Sequence, residues 1–194
     1  MGVKLVSASG GSVEINPPAT ASSFTATMPA GTGNVVVAGI NSAIVSGTSQ
    51  ASTSGTSIDF TGIPSWVKRI TVMFNGVSTN GTSNYQVQIG SGSVTATGYV
   101  SGASLGTTFV SSTTGLIFTA SFGAANAANG SMILSLLNSN TWTAMSVIGV
   151  TGATGSQTGG GASPALGGTL DRVRITTVNG TDTFDAGSIN ILYE

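Results

Sequence analysis

The sequence contains no cysteine and no histidine. Without cysteine there are no disulfides, no thiol nucleophiles and no cysteine-containing zinc sites. Without histidine the chain lacks the side chain that most often acts as a general base near neutral pH. Enzyme classes that depend on these two residue types are therefore excluded, and we expect no cofactor.

Charged residues are also scarce, at 6% of the chain against about 25% in typical domains. Lysine and arginine together number 5, and the formal net charge is -1. Proteins bind the phosphate backbone mainly through clustered cations, so we expect no binding to nucleic acid. A surface made of glycine, serine and threonine instead suits close, neutral packing between protein subunits.

Long apolar runs are missing as well, although the mean hydropathy is +0.35. A membrane-spanning helix needs about 20 apolar residues, and the richest run here, Met132 to Leu137, is interrupted by Ser135. The first residues contain one lysine and no apolar segment of the kind that signal peptides carry. We therefore expect no membrane insertion, and synthesis in the cytoplasm without secretion.

What the chain does contain is apolar residues that recur with a period of two, which is typical of antiparallel strands with one buried face. The clearest example is Ser54 to Gly90, which predicts strand, corner, strand, turn and strand. Asn75-Gly76, Asn80-Gly81 and the segment from Asn126 to Gly130 predict turns, because Asn and Gly accept positive φ.

These patterns predict an all-β fold: an antiparallel β-sandwich of jelly-roll type over residues 51–194, preceded by a small N-terminal β module over residues 1–50. The module's short strands bury too little to stand alone, so they either associate with copies of themselves or pack onto the sandwich. Asn41 to Gly55 predicts a linker or an extended arm. The candidate attachment residues alternate along the module and are Val3, Leu5, Val13, Ile15 and Phe24.

Thr151 to Gly168 is a long run of glycine, serine, threonine and alanine. It matches no phosphate-binding loop and is followed by no predicted helix. We interpret it as a mobile loop that is available to contact a partner.

Two chemical signals allow more than one interpretation. Asp182 and Asp185 lie close together in NGTDTFDAG. The first interpretation is that they are turn carboxylates, which accept hydrogen bonds from backbone N–H groups. The alternatives are a calcium site and the acid pair of a glycoside hydrolase. The few aromatic side chains predict either core packing or a platform on which a sugar stacks. The candidate ligand-contact residues are Trp142, Tyr99, Asn80 and Gln157.

Two parts of the sequence resemble bacteriophage structural proteins. The opening contains SGGSV at Ser9–Val13, P-x-T-A-S at Pro18–Ser22 and F-x-x-x-x-P-A-x-T-G at Phe24–Gly33. It resembles a short module found near the start of phage tail-fibre and tail-associated proteins. Ser54–Gly90, together with the ending Thr183–Glu194, is similar to the C-terminal domain of phage fibre proteins.

This resemblance implies a virion protein that is a modular homotrimer and not an enzyme, with an N-terminal attachment piece and a distal sandwich that binds the host receptor. The implied partners are other copies of the chain, other virion proteins of the tail or capsid, and a glycan or protein on the host cell. No catalytic residue carries over. Because the chain has no coiled coil and no long shaft, a short tail fibre, a tail-tip or baseplate component, and a capsid decoration or cement protein all stay open, beside a glycan hydrolase.

Overall fold

The computed structural model describes residues 3–6, 9–10, 12–15, 44–152 and 155–194. Contacts divide the chain into two units, residues 1–35 and residues 36–194. All strand pairs are antiparallel, and the described residues contain no helix, so the predicted all-β antiparallel class is confirmed. The jelly-roll connectivity stays a prediction.

The strands are β1 (Val3–Val6), β2 (Ser12–Ile15), β3 (Val45–Ser46), β4 (Gln50–Ala51), β5 (Ser57–Thr61), β6 (Arg69–Thr79), β7 (Tyr85–Ser91), β8 (Ser93–Val94), β9 (Val100–Leu105), β10 (Thr108–Ser112), β11 (Leu116–Ile117), β12 (Ala127–Asn138), β13 (Thr141–Thr151), β14 (Ser156–Ala162), β15 (Arg172–Thr177) and β16 (Phe184–Tyr193).

The described part of the first unit is a hairpin of β1 and β2. Val3 pairs with Ile15, and Leu5 pairs with Val13. Gly10 adopts a φ of 86° between the strands, which a glycine does without strain. Four of the five candidate attachment residues therefore lie opposite one another in two pairs. The fifth, Phe24, lies outside the described residues.

The second unit consists of two sheets. A nine-stranded sheet has the order β10-β9-β14-β13-β12-β6-β16-β3, with β4 also paired to β16. A five-stranded sheet has the order β11-β7-β15-β5, with β8 paired to β7. Alternate side chains of both sheets form one buried core, which includes Ile70, Val72, Met132, Leu134 and Ile148 from the first sheet and Val87, Ile89, Val173 and Ile175 from the second. This is the layered burial of a β-sandwich.

The segment 45–51 is an ordered arm of the sandwich. β3 and β4 both pair with β16, and the Gly47 N–H donates to the Ile191 carbonyl at 2.8 Å. Of the two alternatives for Asn41 to Gly55, the extended arm therefore describes these residues and the flexible linker does not. The division by contacts also falls between Val35 and Val36, earlier than the predicted boundary near Gln50.

The glycine-rich run is a strand, so its prediction as a mobile loop was wrong for Ser156–Ala162. This segment, β14, lies inside the nine-stranded sheet between β13 and β9. Its glycines occur where neighbouring backbone comes unusually close. A Cβ on Gly159 would lie 2.6 Å from the Ile117 carbonyl oxygen, and one on Gly161 would lie 2.6 Å from Cα of Ser101. Real Cβ atoms do not approach other atoms this closely, so glycine is what allows this strand to fit.

Asn75-Gly76 is a bulge within β6, and the turn predicted there was wrong. The pairing of β6 shifts register at this point against both β12 and β16. Gly76 has a φ of 65°, and its N–H donates to Oδ1 of Asn129 on the neighbouring strand at 2.8 Å. Asn129 and Gly130 are themselves part of β12, not the end of a turn. Bulges and tight turns both favour positive φ, which explains why the same residue types occur in both.

Candidate functional site

The surface of the nine-stranded sheet that faces away from the core carries exposed apolar side chains, and we call it the outer face. Met145 and Val147 on β13 are 62% and 57% exposed. In register, Met145 lies opposite Ile133, and Val147 lies opposite Ser131, which in turn pairs with Met73. Two further exposed apolar side chains, Phe109 and Val100, extend this surface to the β9–β10 hairpin. Apolar patches of this kind on a monomer usually mark an interaction site.

The outer face also lacks charge. Five neighbouring strands, β10, β9, β14, β13 and β12, contain no aspartate, glutamate, lysine or arginine. Arg69 at the start of the next strand, β6, is charged, and its guanidinium forms an ion pair with Glu194 at 2.9 Å. A partner can therefore cover this surface without removing an unpaired charge from water.

The surface of the five-stranded sheet that faces away from the core is polar by contrast. Arg174 on β15 forms two hydrogen bonds of 2.7 Å to Asp59 on β5, one through each carboxylate oxygen. Such bidentate pairs hold both side chains in a defined geometry. Beside this pair lies a cavity of about 310 Å³, which we call the polar groove. Its lining includes Gln86, Gln88, Thr114, Thr176 and Asn179.

Three of the four predicted ligand-contact residues are buried, and their assignment to a ligand surface was wrong. Trp142 lies in the core, where its indole N–H has no hydrogen-bond partner among the described residues. The Tyr99 hydroxyl accepts from the Ile89 N–H at 2.9 Å and donates to the Thr95 carbonyl at 2.9 Å. Gln157 is fully buried, and its amide bonds to the Ala120 N–H and the Ser121 carbonyl. These side chains stabilise the fold.

Asn80, the fourth predicted residue, is exposed in the turn between β6 and β7. Its Oδ1 accepts from the Thr183 N–H at 2.9 Å, and its own N–H donates to the Thr183 carbonyl. The side chain therefore links two turns at one end of the sandwich. Asn80 is not among the residues that line the polar groove.

Both candidate acidic residues are engaged by turn and strand donors. Asp182 accepts from the Ser83 N–H at 2.9 Å and from the Asn179 side-chain amide at 2.6 Å, while Asp185 accepts from the Ser78 hydroxyl. This agrees with the interpretation of Asp182 as a turn carboxylate. The same interpretation was wrong for Asp185, which lies within β16 and accepts from a side chain of β6. Within the described residues no group of three acidic side chains lies close enough together to hold a metal ion.

The buried tyrosines predict a loss of stability in alkaline solution. Burial raises the pKa of Tyr85 and of Tyr99 to about 12, whereas an unfolded tyrosine titrates near pH 10. Between these pH values the tyrosine hydroxyls ionise in the unfolded chain but not in the folded chain. The free energy of unfolding therefore has its full value below pH 10 and falls as the pH rises to 12. The expected loss is on the order of 2–3 kcal/mol per tyrosine.

Urea denaturation of the chain at a series of pH values measures this loss. Tyr99→Phe serves as the comparison. It lowers stability at neutral pH, but it should remove about half of the decrease in the free energy of unfolding between pH 10 and pH 12. An unchanged slope in this variant would contradict the assignment to Tyr99.

Sequence reasoning missed the residues that line the polar groove. Gln86 and Gln88 alternate with Tyr85, Val87 and Ile89 in β7, and this alternation predicted only that the glutamines face away from the core. They are in fact 2% and 7% exposed, because Ser112 at the end of β10 and Thr114 after it hydrogen-bond to their amide groups. These two residues are distant in sequence from β7, so no local signal identified the groove.

No protein-family model matches the chain, and neither curated protein sequences nor solved structures show a significant match to it. The described residues include no apolar helix that is long enough to span a lipid bilayer.

Proposed function

We propose that this chain is a non-enzymatic structural protein of a bacteriophage virion, a short tail fibre whose sandwich binds the host receptor. The observation that carries the proposal is the outer face, where exposed apolar side chains lie on five uncharged strands. Such a surface is suited to permanent burial between subunits. The resemblance of the first residues and of the strands from Ser54 onward to phage fibre proteins supports the same assignment.

The partner of the outer face in this proposal is the same face of other copies, arranged as a homotrimer with the three faces turned toward a common axis. The face lacks charge, so its partner must lack charge too, and this chain with 6% charged residues provides such a surface. Strands about 4.8 Å apart, with a rise of about 3.3 Å per residue, give the five uncharged strands an area on the order of 700 Å². A stable interface buries about 600–1,000 Å² per partner, so this area lies within the range.

The division of labour between the two units forms part of the proposal. The N-terminal unit attaches the protein to the virion, because its sequence is the part most similar to a shared phage module. The sandwich faces outward and binds the host, since recognition usually lies on loops and grooves held by a rigid scaffold.

A truncated chain tests this division. A chain that starts at Val36 retains the arm that pairs with β16, so we expect it to fold, to bind host cells in a sedimentation assay, and to be absent from purified particles. A chain that starts at Gln50 is the matched control: it lacks β3 and should melt at a lower temperature. If the Val36 chain joins particles normally, or if residues 1–35 alone bind cells, the roles of the two units are reversed.

A capsid decoration protein is the second candidate. The observation that favours it is the absence of a shaft: residues 44–152 and 155–194 form a single sandwich, with no coiled coil in the described chain. A subunit that lies flat on a capsid needs an attachment piece and a sandwich but no shaft. The position of the protein on the particle distinguishes this candidate from a tail fibre.

A further inference from the structure

The polar groove combines enclosed amide groups with a neutralised ion pair. It is lined by Gln86 and Gln88 on β7 and by Thr176 and Arg174 on β15, which lie opposite them in register. Thr114 and the turn after β15, with Val178 and Asn179, also belong to the lining. The two glutamines are more than nine-tenths buried, so their polar atoms are held in place before any ligand arrives.

We propose that the polar groove binds a neutral saccharide, and this inference rests on the proposed role of the sandwich as the receptor-binding part. A sugar hydroxyl both donates and accepts hydrogen bonds, so a saccharide site needs donors and acceptors side by side. Primary amides provide both within one planar group, which makes the two glutamines the central recognition residues.

The hydrogen bonds already present show which groups stay open. Gln88 donates through Nε2 to the Thr114 carbonyl at 2.8 Å, and its Oε1 has no partner among the described residues. Gln86 Oε1 accepts from the Thr114 hydroxyl at 2.9 Å and from the Ser112 hydroxyl at 3.2 Å. Each amide nitrogen has two protons and uses one on the protein. An acceptor and two donors are therefore available to a ligand.

The charge of the groove selects a neutral ligand. Arg174 is the one cation among the lining residues, and Asp59 neutralises it through two hydrogen bonds. An acidic polysaccharide would find no unpaired cation here, and a cationic ligand would find no unpaired carboxylate. The guanidinium keeps donors that the ion pair does not use, and these are suited to hydroxyl oxygens.

The size of the groove limits the ligand to a short unit. Its volume of about 310 Å³ lies at the lower end of the range for ligand pockets, which fits one or two sugar rings of a longer chain. Val178 is 41% exposed at the rim and offers an apolar contact for the carbon-bound hydrogens of a ring.

Titration of the isotope-labelled full chain with neutral and acidic glycans, followed by NMR, tests this inference. The probes are the methyl glycosides of glucose, galactose, mannose, rhamnose and N-acetylglucosamine, the polysaccharides dextran and mannan, and sialyllactose as the anionic control. We expect a neutral probe to shift the side-chain amide signals of Gln86 and Gln88, and we expect no shift from sialyllactose. Gln88→Met keeps the length of the side chain and removes the amide, and it should weaken binding about tenfold.

Thr176→Val and Thr158→Val provide a matched pair of threonine replacements on strands. Thr176 lies in the groove and Thr158 lies on the outer face, so only Thr176→Val should change the affinity. The inference is overturned if no neutral probe shifts the groove signals, if sialyllactose shifts them more strongly, or if folded Gln88→Met binds as well as the unchanged chain. None of these results bears on whether the protein is part of the virion, because incorporation into particles is measured separately.

Discussion

Replacing Gly161 by alanine is expected to lower the free energy of unfolding of the sandwich by about 3 kcal/mol or more. The added Cβ would lie 2.6 Å from Cα of Ser101 and within contact of the Val100 carbonyl oxygen on β9. Both obstacles belong to the neighbouring backbone, so no side-chain rotation relieves them. Because small domains are stable by only about 5–15 kcal/mol, this single methyl group should remove a large part of the total.

Gly167→Ala is the matched control for this prediction. A Cβ at Gly167 would meet no atom within 4 Å, and the residue has no positive φ that would strain an alanine. Denaturant midpoints of the two variants are compared with that of the unchanged chain. Equal stabilities for Gly161→Ala and Gly167→Ala would show that β14 does not lie between β13 and β9 as described.

Replacing Met145 by aspartate is expected to convert the proposed trimer into a monomer. Met145 lies at the centre of the outer face, where a second copy would enclose it. A buried carboxylate without a partner is destabilising by about 3–5 kcal/mol, which weakens association more than a hundredfold per interface. The folded monomer should be unaffected, because the side chain is 62% exposed in it.

Mass measurement in solution decides this prediction, with Val178→Asp as the control. Val178 is also an exposed apolar residue, but it follows β15 in the other sheet, so its replacement should leave the trimer intact. An unchanged chain that is monomeric at micromolar concentration would refute the trimer. If Val178→Asp dissociates the trimer and Met145→Asp does not, the interface lies on the five-stranded sheet.

The strands of the core could be predicted because their signal is local. Ile70, Val72 and Phe74 alternate with more exposed residues, and this alternation alone assigned them to a buried face of β6. The glycine-rich segment was misread because its information is not local. Gly159 and Gly161 are required by the carbonyl and Cα atoms of β11 and β9, which are distant in sequence, whereas glycine by itself indicates a loop.

The functional surfaces were harder to predict for a related reason. Aromatic residues were assigned to a ligand surface on their chemistry, yet Trp142 on β13 and Tyr99 just before β9 are both buried in the core. Met145 and Val147 are apolar like the buried residues of β13, and only the layering of the sheets shows that they face outward. Which face of a strand is buried was visible in the sequence, but which face meets a partner was not.

Immunogold labelling of purified virions with an antibody against the sandwich tests the central claim most directly. If the chain is a short tail fibre, label should appear at the tail, and it should be lost when the chain beginning at Val36 is produced in place of the full chain. Label confined to the head would assign the protein to capsid decoration. Particles that carry no label, while the protein accumulates free in the lysate, would contradict the proposal that it is a structural part of the virion.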